Sequence, residues 1–334
     1  MFFGRCKKIH LCLLGALLLL FLLIGATLWW IYHPRPAPEF GITFSSVYAQ
    51  ELGLDPEEAF RALVEDRGVR LVRLPLYWDE IEREPGQYDW SISDALMAIA
   101  EEYGVRVTLT IGQKVPRWPE CYIPDWALTR SDQERKEAFQ SYLHAAIERY
   151  QFSPSLLRWQ VENEPLFDYG ICPAVDLEGL QETLAIVRSQ DEHPIQLTVS
   201  GELESWWPLA RWADVLGFSL YQVTWSDTTG YFVYPIPPVF YRLRALVASF
   251  WTDQVVVSEL QAEPWFIVPM EEKPLFEWYA LFDAQALQDR VHFTEDIGVS
   301  EVYLWGAEWW YYLKINGFDG LWNEAGQIFE RREE

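Results

Sequence analysis

The chain is poor in the residues that build metal and cofactor sites. Its 334 residues include four cysteines and five histidines. No Cys-x-x-Cys pair occurs, and His10, His33, His144, His193 and His292 form no His-Glu-x-x-His or other ligand spacing, so no metal site is expected. A phosphate-cradling glycine loop, a Gly-x-Gly-x-x-Gly fingerprint and a Gly-x-Ser-x-Gly elbow are all missing, and no cofactor is implied. Basic residues are scarce as well: 26 Lys and Arg stand against 50 Asp and Glu, a formal net charge of -24. Such a chain repels phosphates, which argues against sequence-independent nucleic-acid binding. Internal repeats and low-complexity tracts are absent. Half of the residues are hydrophobic, enough to bury a full core without a disulfide framework.

Only one long uncharged apolar run occurs, Leu11 to Tyr32, preceded by Arg5, Lys7 and Lys8. A helix of about 20 apolar residues spans a bilayer core, and the basic cluster before it predicts a cytoplasmic N-terminus. Trp29, Trp30 and Tyr32 suit the outer interface. Residues 11–32 are therefore expected to form a single-pass transmembrane anchor behind a basic N-terminus, residues 1–10. The competing reading is a cleaved signal peptide, cut near Gly25-Ala26. His33-Pro-Arg-Pro-Ala-Pro38 reads as a stiff spacer over residues 33–39. Residues 34–334 hold 23 basic and 50 acidic side chains, a balance of -27. This acidic part, residues 40–334, is expected outside the cytoplasm. Cys121 and Cys172 both lie in it, where a disulfide can persist.

From Phe40 onward, short β-branched runs alternate with longer helical patterns. Strands are expected at 40–47, 69–78, 105–113, 157–164, 195–201, 215–222, 254–260 and 300–306. Helices are expected at 55–67, 91–103, 131–150, 177–190, 206–213, 237–250, 277–297 and 321–331. Asp55-Pro56 and the Ser131…Glu134 spacing mark helix starts, and Gly68, Gly104 and Gly298 mark helix ends. Eight strand–helix units over about 300 residues suit a closed (β/α)8 TIM barrel; an open doubly wound sheet is the rival. Functional groups then gather at the carboxyl ends of the strands.

Two strand ends carry carboxylates. The fourth ends Trp159-Gln-Val-Glu-Asn-Glu-Pro165, and the seventh ends Val256-Val-Ser-Glu-Leu-Gln-Ala-Glu-Pro264. Glycosidic bond cleavage needs two carboxyl groups flanking one bond, and a separation of about 5 Å suits a retaining mechanism. Glu164 and Glu259 are the leading candidates. Glu162, two residues before Glu164, and Glu263, four after Glu259, compete with them. Eighteen tryptophans exceed what packing alone asks for, and a Trp face is a good sugar platform. Trp78, Trp90 and Trp159 read as core. Trp118, Trp126, Trp225, Trp265, Trp309 and Trp310 fall in or near loops on the catalytic face.

Asn163-Glu164-Pro165 at the end of strand four, with a Glu ending strand seven, resembles the pattern of clan A glycoside hydrolases. These are (β/α)8 retaining β-glycosidases of the cellulase, β-mannanase and xylanase kind. The resemblance implies a retaining glycoside hydrolase acting on an oligo- or polysaccharide; together with the anchor expected at residues 11–32, it gives a membrane-anchored enzyme working outside the cytoplasm. It implies that Glu164 is the acid/base, that Glu259 is the nucleophile, and that Asn163 binds the hydroxyl beside the reacting carbon. Arg73 and Tyr221 correspond to the side chains that hold the nucleophile, and Trp305 to the sugar platform. Gln113 and Trp118 are further substrate-binding candidates, and Cys121–Cys172 a candidate disulfide between neighbouring loops. Transglycosylation on the same site, or a non-catalytic glycan-binding barrel, stays open at this point.

Overall fold

The computed structural model describes residues 15, 17–22, 25, 33, 35–173 and 176–330. It divides into two compact units, Met1–Pro36 and Ala37–Glu334. In the first unit, residues 15, 17–22 and 25 are helical. The apolar run 11–32 lies largely outside the described residues; among the described residues, no helix is long and apolar enough to cross a membrane.

The second unit is a closed, all-parallel barrel of eight strands. They are β1 (Glu39–Thr43), β2 (Leu71–Pro75), β3 (Arg106–Ile111), β4 (Leu156–Val161), β5 (Ile195–Ser200), β6 (Val215–Leu220), β7 (Gln254–Gln261) and β8 (Glu301–Trp305). Each strand pairs with its neighbours in the chain, and β1 closes on β8 with Phe40 opposite Val302 and Ile42 opposite Leu304. All eight expected strands are present, and the closed barrel excludes the open sheet.

Several helix ends form as the sequence dictates. The Asp55 side chain accepts from the amides of Glu57 and Glu58 ahead of helix Pro56–Glu65. Ser131 and Glu134 make a reciprocal capping box ahead of helix Asp132–Tyr150. Gly68, Gly104 and Gly298 take positive φ, a conformation that costs a glycine little.

Other elements depart from expectation. The expected helix 277–297 is two helices, Leu275–Leu281 and Ala284–Glu295, split where Asp283 caps the second by accepting from the Ala286 amide. A helix, Ala307–Ile315, follows β8 directly. Between β6 and helix Pro238–Ala248 lies an antiparallel hairpin, Val223–Ser226 with Gly230–Val233.

Strand alternation sorts the side chains into two sets. Val107, Leu109 and Ile111 of β3 and Trp159 and Val161 of β4 pack outward in the apolar core under the helices. Thr108, Thr110, Arg158 and Gln160 point the other way and are buried. The barrel interior is thus a hydrogen-bonded polar column: Gln196 donates to Gln160 at 2.9 Å, and Tyr303 donates to Glu301 at 3.0 Å.

One irregularity sets the direction of Glu259. β6 and β7 pair Phe218 with Val257 but Ser219 with Glu259, so the register slips by one residue at Ser258. Regular alternation would put Glu259 on the outward face with Val255 and Val257. The slip turns it inward beside Ser219, the re-aiming that a bulge achieves.

Candidate active site

Glu259 sits at the end of β7, nearly fully buried. Arg73, fully buried at the centre of β2, donates from Nη1 to Glu259 Oε1 at 2.7 Å. Tyr221, one residue past β6, donates its hydroxyl to Glu259 Oε2 at 3.0 Å. Arg73 also donates from Nε to Gln160 at 2.7 Å and from Nη2 to Asn163 Oδ1 at 2.6 Å. Its planar fork therefore ties β2, β4 and β7 together, a geometry that suits arginine and not lysine.

Glu164 follows β4 in a backbone conformation with φ of 43°, and Glu162 has φ of 58°. Left-handed backbone at two non-glycine residues is strained by about 1 kcal/mol or more each, the kind of strain that functional sites hold. The two glutamates point to different places. Glu162 accepts from the amides of Gln113 and Lys114 at 3.1 and 2.6 Å and braces the loop after β3. Glu164 accepts from Ser219 Oγ at 2.5 Å, and its own amide donates to Thr198 Oγ1 at 2.8 Å. Ser219 stands in register with Glu259 on the adjacent strand, so the Glu164 and Glu259 carboxyls converge on one patch of the barrel mouth. Burial, the negative charge of Glu259 and that of Glu120 push the Glu164 carboxyl well above the usual carboxylate range.

Glu263 is bound elsewhere. It accepts from Arg117 Nη1 at 2.5 Å and from Trp305 Nε1 at 2.9 Å. Gly306, with φ of 109°, lets the chain pass over it; a Cβ there would lie 2.6 Å from Glu263 Cβ. Arg117 is itself sandwiched between the rings of Tyr48 and Trp305, at 3.6 and 4.3 Å from their centroids. It also reaches Glu308, which accepts from the amide of Ser45. This cation, invisible to motif reading, fixes the orientation of the Trp305 ring.

The tryptophans divide. Trp309 and Trp310 are fully buried in helix Ala307–Ile315 and belong to the core, a correction to the loop reading. Trp126 donates to the carbonyl of Glu82 and packs edge-on against Trp78. Trp118 is 59% exposed and meets Tyr169 edge-on at 6.0 Å, while Trp265 meets Tyr221 at 5.8 Å. Cys121 and Cys172 are joined as a disulfide between the loops after β3 and β4. Gln113 is half-buried; its amide donates to Glu162 and its carbonyl accepts from Tyr122. Among the described residues, no group of three or more His, Cys, Asp or Glu is arranged to hold a metal ion.

Sequence reasoning missed Arg117, Lys114, Glu120 and Ser219. The first three sit on one loop whose backbone path, with φ of 92° at Arg117 and 66° at Glu120, no periodicity announces.

The family description Cellulase (glycosyl hydrolase family 5) matches residues 36–212, more than half of the chain. The chain belongs to glycosyl hydrolase family 5. It is a glycoside hydrolase of a retaining family in clan A. The matched region holds Arg73, Asn163 and Glu164 and ends before Tyr221, Glu259 and Trp305. No curated protein sequence matches the chain. Solved structures similar to it include GH5_18 from Streptomyces cattleya in complex with GlcNAc, at 16% identity and TM-score 0.52, covering 81% of this chain and 70% of that one. A β-galactosidase from the Antarctic haloarchaeon Halorubrum lacusprofundi aligns at 14% identity and TM-score 0.60 over 87% of this chain. The family 5 chain spans only 57% of that enzyme's length. An exo-β-1,4-mannosidase from Opitutaceae bacterium strain TAV5 aligns at 16% identity and TM-score 0.53, covering 81% of this chain and 52% of the mannosidase. At these identities the structural likeness speaks for the barrel alone.

Proposed function

We propose that this family 5 enzyme cleaves β-linked oligo- or polysaccharides by double displacement, with Glu259 as nucleophile and Glu164 as acid/base. One observation carries the reading: Ser219, in register with Glu259, hydrogen-bonds Glu164, which supports two buried carboxyls working at one site. Their surroundings differ as the two roles require. Glu259 receives hydrogen bonds from a guanidinium and a phenol, which suit a carboxylate. Glu164 has burial and negative neighbours that keep its proton.

In the first step a Glu259 oxygen bonds to the anomeric carbon, the glycosidic C–O bond breaks, and the Glu164 proton goes to the leaving oxygen. The covalent ester removes the charge of Glu259, so Glu164 holds a proton less tightly. In the second step Glu164 takes a proton from water, the water oxygen bonds to the anomeric carbon, and the ester bond to Glu259 breaks. Asn163, Tyr221, Trp305, Gln113 and the exposed Trp118 are the proposed sugar contacts.

We further propose that residues 11–32 hold the barrel at the outer face of the cytoplasmic membrane. The uncharged run and the basic residues before it support this. A chain that stays with membranes through alkaline carbonate washing fits; a mature N-terminus downstream of Ala26 contradicts it. The activity is tested by offering the full-length chain in detergent a panel of aryl β-glycosides and following the first-formed sugar by NMR. Retention of the β-anomer is the expected outcome, and the α-anomer would rule the mechanism out.

A further inference from the structure

The loop after β3 buries a third carboxylate beside the pair. Glu120 is 6% exposed. Its Oε2 lies 3.4 Å from Asn163 Nδ2 and 3.8 Å from the ammonium of Lys114. Lys114 Nζ in turn donates to the carbonyls of Glu164 at 3.1 Å and Phe167 at 2.8 Å. The loop after β4 closes over this cluster at Gly170, where a Cβ would lie 2.8 Å from the Pro119 carbonyl and 3.0 Å from Glu120 Cβ. The Ile171 amide donates to that same carbonyl. Burying a carboxylate with one long ion pair and one long hydrogen bond is costly, and packing alone gives no reason for it.

The amide of Asn163 supplies a reason. Its Oδ1 accepts from Arg73 at 2.6 Å and from Thr198 at 3.3 Å, and its Nδ2 faces Glu120. An amide with an acceptor at one end and donors at the other has a single orientation. We propose that Glu120 is a positioning residue for the glycosidase reaction: it fixes the Asn163 amide and, through Lys114, the backbone that carries Glu164. The inference rests on the roles proposed above for that pair. The groups facing Glu120 are Glu259, Glu164, Lys114, Arg73 and the Tyr169 phenol. Those facing Glu164 are Glu259, Glu120, Glu204, the Ser219 hydroxyl and the Tyr169 phenol. Burial and the Glu259 charge push Glu120 up to about 8. Once ionised, Glu120 raises Glu164 further, so removing its charge makes Glu164 lose its proton at lower pH.

Two variants of the full-length chain separate these contributions on whichever aryl β-glycoside the unaltered enzyme turns over. Glu120→Ala removes both acceptor and charge, and its kcat/KM should fall about tenfold or more, chiefly through kcat. Glu120→Gln keeps volume and a carbonyl acceptor. Its kcat should fall less than that of the Ala variant, while the alkaline limb of kcat/KM moves down by about half a pH unit or more. Thermal melting of the isosteric Gln variant reports whether it is folded. A Gln variant whose alkaline limb coincides with that of the unaltered enzyme overturns the proposal, as does an Ala variant with unchanged kcat/KM. Glu259→Ala, run alongside, keeps the failures apart: if it retains full activity, the reading of the pair is wrong whatever Glu120 does.

Discussion

The guanidinium of Arg73 and the carboxylate of Glu259 meet at 2.7 Å with both side chains withdrawn from water. Removing one partner of such a pair strands the other charge, at a cost of about 3–5 kcal/mol. Arg73→Met is therefore expected to lower kcat/KM by at least about a hundredfold and to lower the melting temperature. Arg73→Lys should recover little of the activity, because one ammonium cannot serve Gln160, Asn163 and Glu259 together. A lysine variant with near-normal kcat/KM would remove the three-way arginine fork from the account.

With Glu164 as the proposed acid/base, the alkaline limb of the pH–rate profile should follow its ionisation. Burial first, then the charges of Glu259 and Glu120, hold its proton well above the ordinary carboxylate range. Activity should accordingly persist to pH values where a free glutamate is ionised, and fall as this proton is lost. Glu164→Gln should abolish the limb. It should cost about a hundredfold or more on substrates with poor leaving groups, while dinitrophenyl glycosides, which need no proton, form the covalent intermediate at a near-normal rate. Pre-steady-state release of dinitrophenol measures this directly.

Stability should decline as pH rises from mildly acidic to mildly alkaline. Burial raises Glu162, Glu202 and Glu308 to about 7 and, together with the charge of Glu259, Glu120 to about 8. A carboxyl whose pKa is raised by folding contributes stability that is fully present below its unfolded pKa and is lost as pH climbs through the folded one. The window therefore runs from about pH 4.5 to about pH 8, at up to about 1.4 kcal/mol per pH unit for each such group. Calorimetric melting at pH 5, 6, 7 and 8 should show a falling melting temperature; a flat or rising series contradicts the burial of these groups.

The Cys121–Cys172 bond joins the two loops that carry Trp118, Glu120 and Tyr169. Its sequence separation of 51 corresponds to about 4 kcal/mol by chain-entropy arguments. The paired Cys121→Ser and Cys172→Ser variant should melt lower and show a raised KM on oligosaccharides. Glu259, held from β2 and β6, keeps its partners, so kcat on a small aryl glycoside should change less. Loss of kcat with an unchanged KM would mean that the staple supports the chemistry and not the groove.

The barrel was legible because its strands carry β-branched runs and its helices begin and end on residues with a local mechanism, as at Asp55 and Gly104. Helix Ala307–Ile315 was not, because it is buried nearly all round: with Trp309 and Trp310 both inside, it lacks the polar face that gives a helical period its contrast. The apolar run 11–32 falls largely outside the described residues. Within the site, Asn163-Glu164 was legible from its motif and place on β4. Glu259 was legible only as the residue ending an apolar strand; simple alternation would have turned it toward the helices, and the register slip at Ser258 that reverses this depends on its neighbours β6 and β8. Arg117 and Glu120 were hidden because their positions follow from a loop path, and loop paths are set by contacts far away in sequence.

Glu259 is the proposed partner in the covalent bond to the sugar. The most direct test is Glu259→Ala on an activated aryl β-glycoside, with and without azide. Turnover should fall by several orders of magnitude, about 10⁴-fold or more. Azide should restore part of it by entering the emptied site, giving the α-glycosyl azide. An Ala variant that retains near-normal turnover, or an azide product of β configuration, would contradict the account.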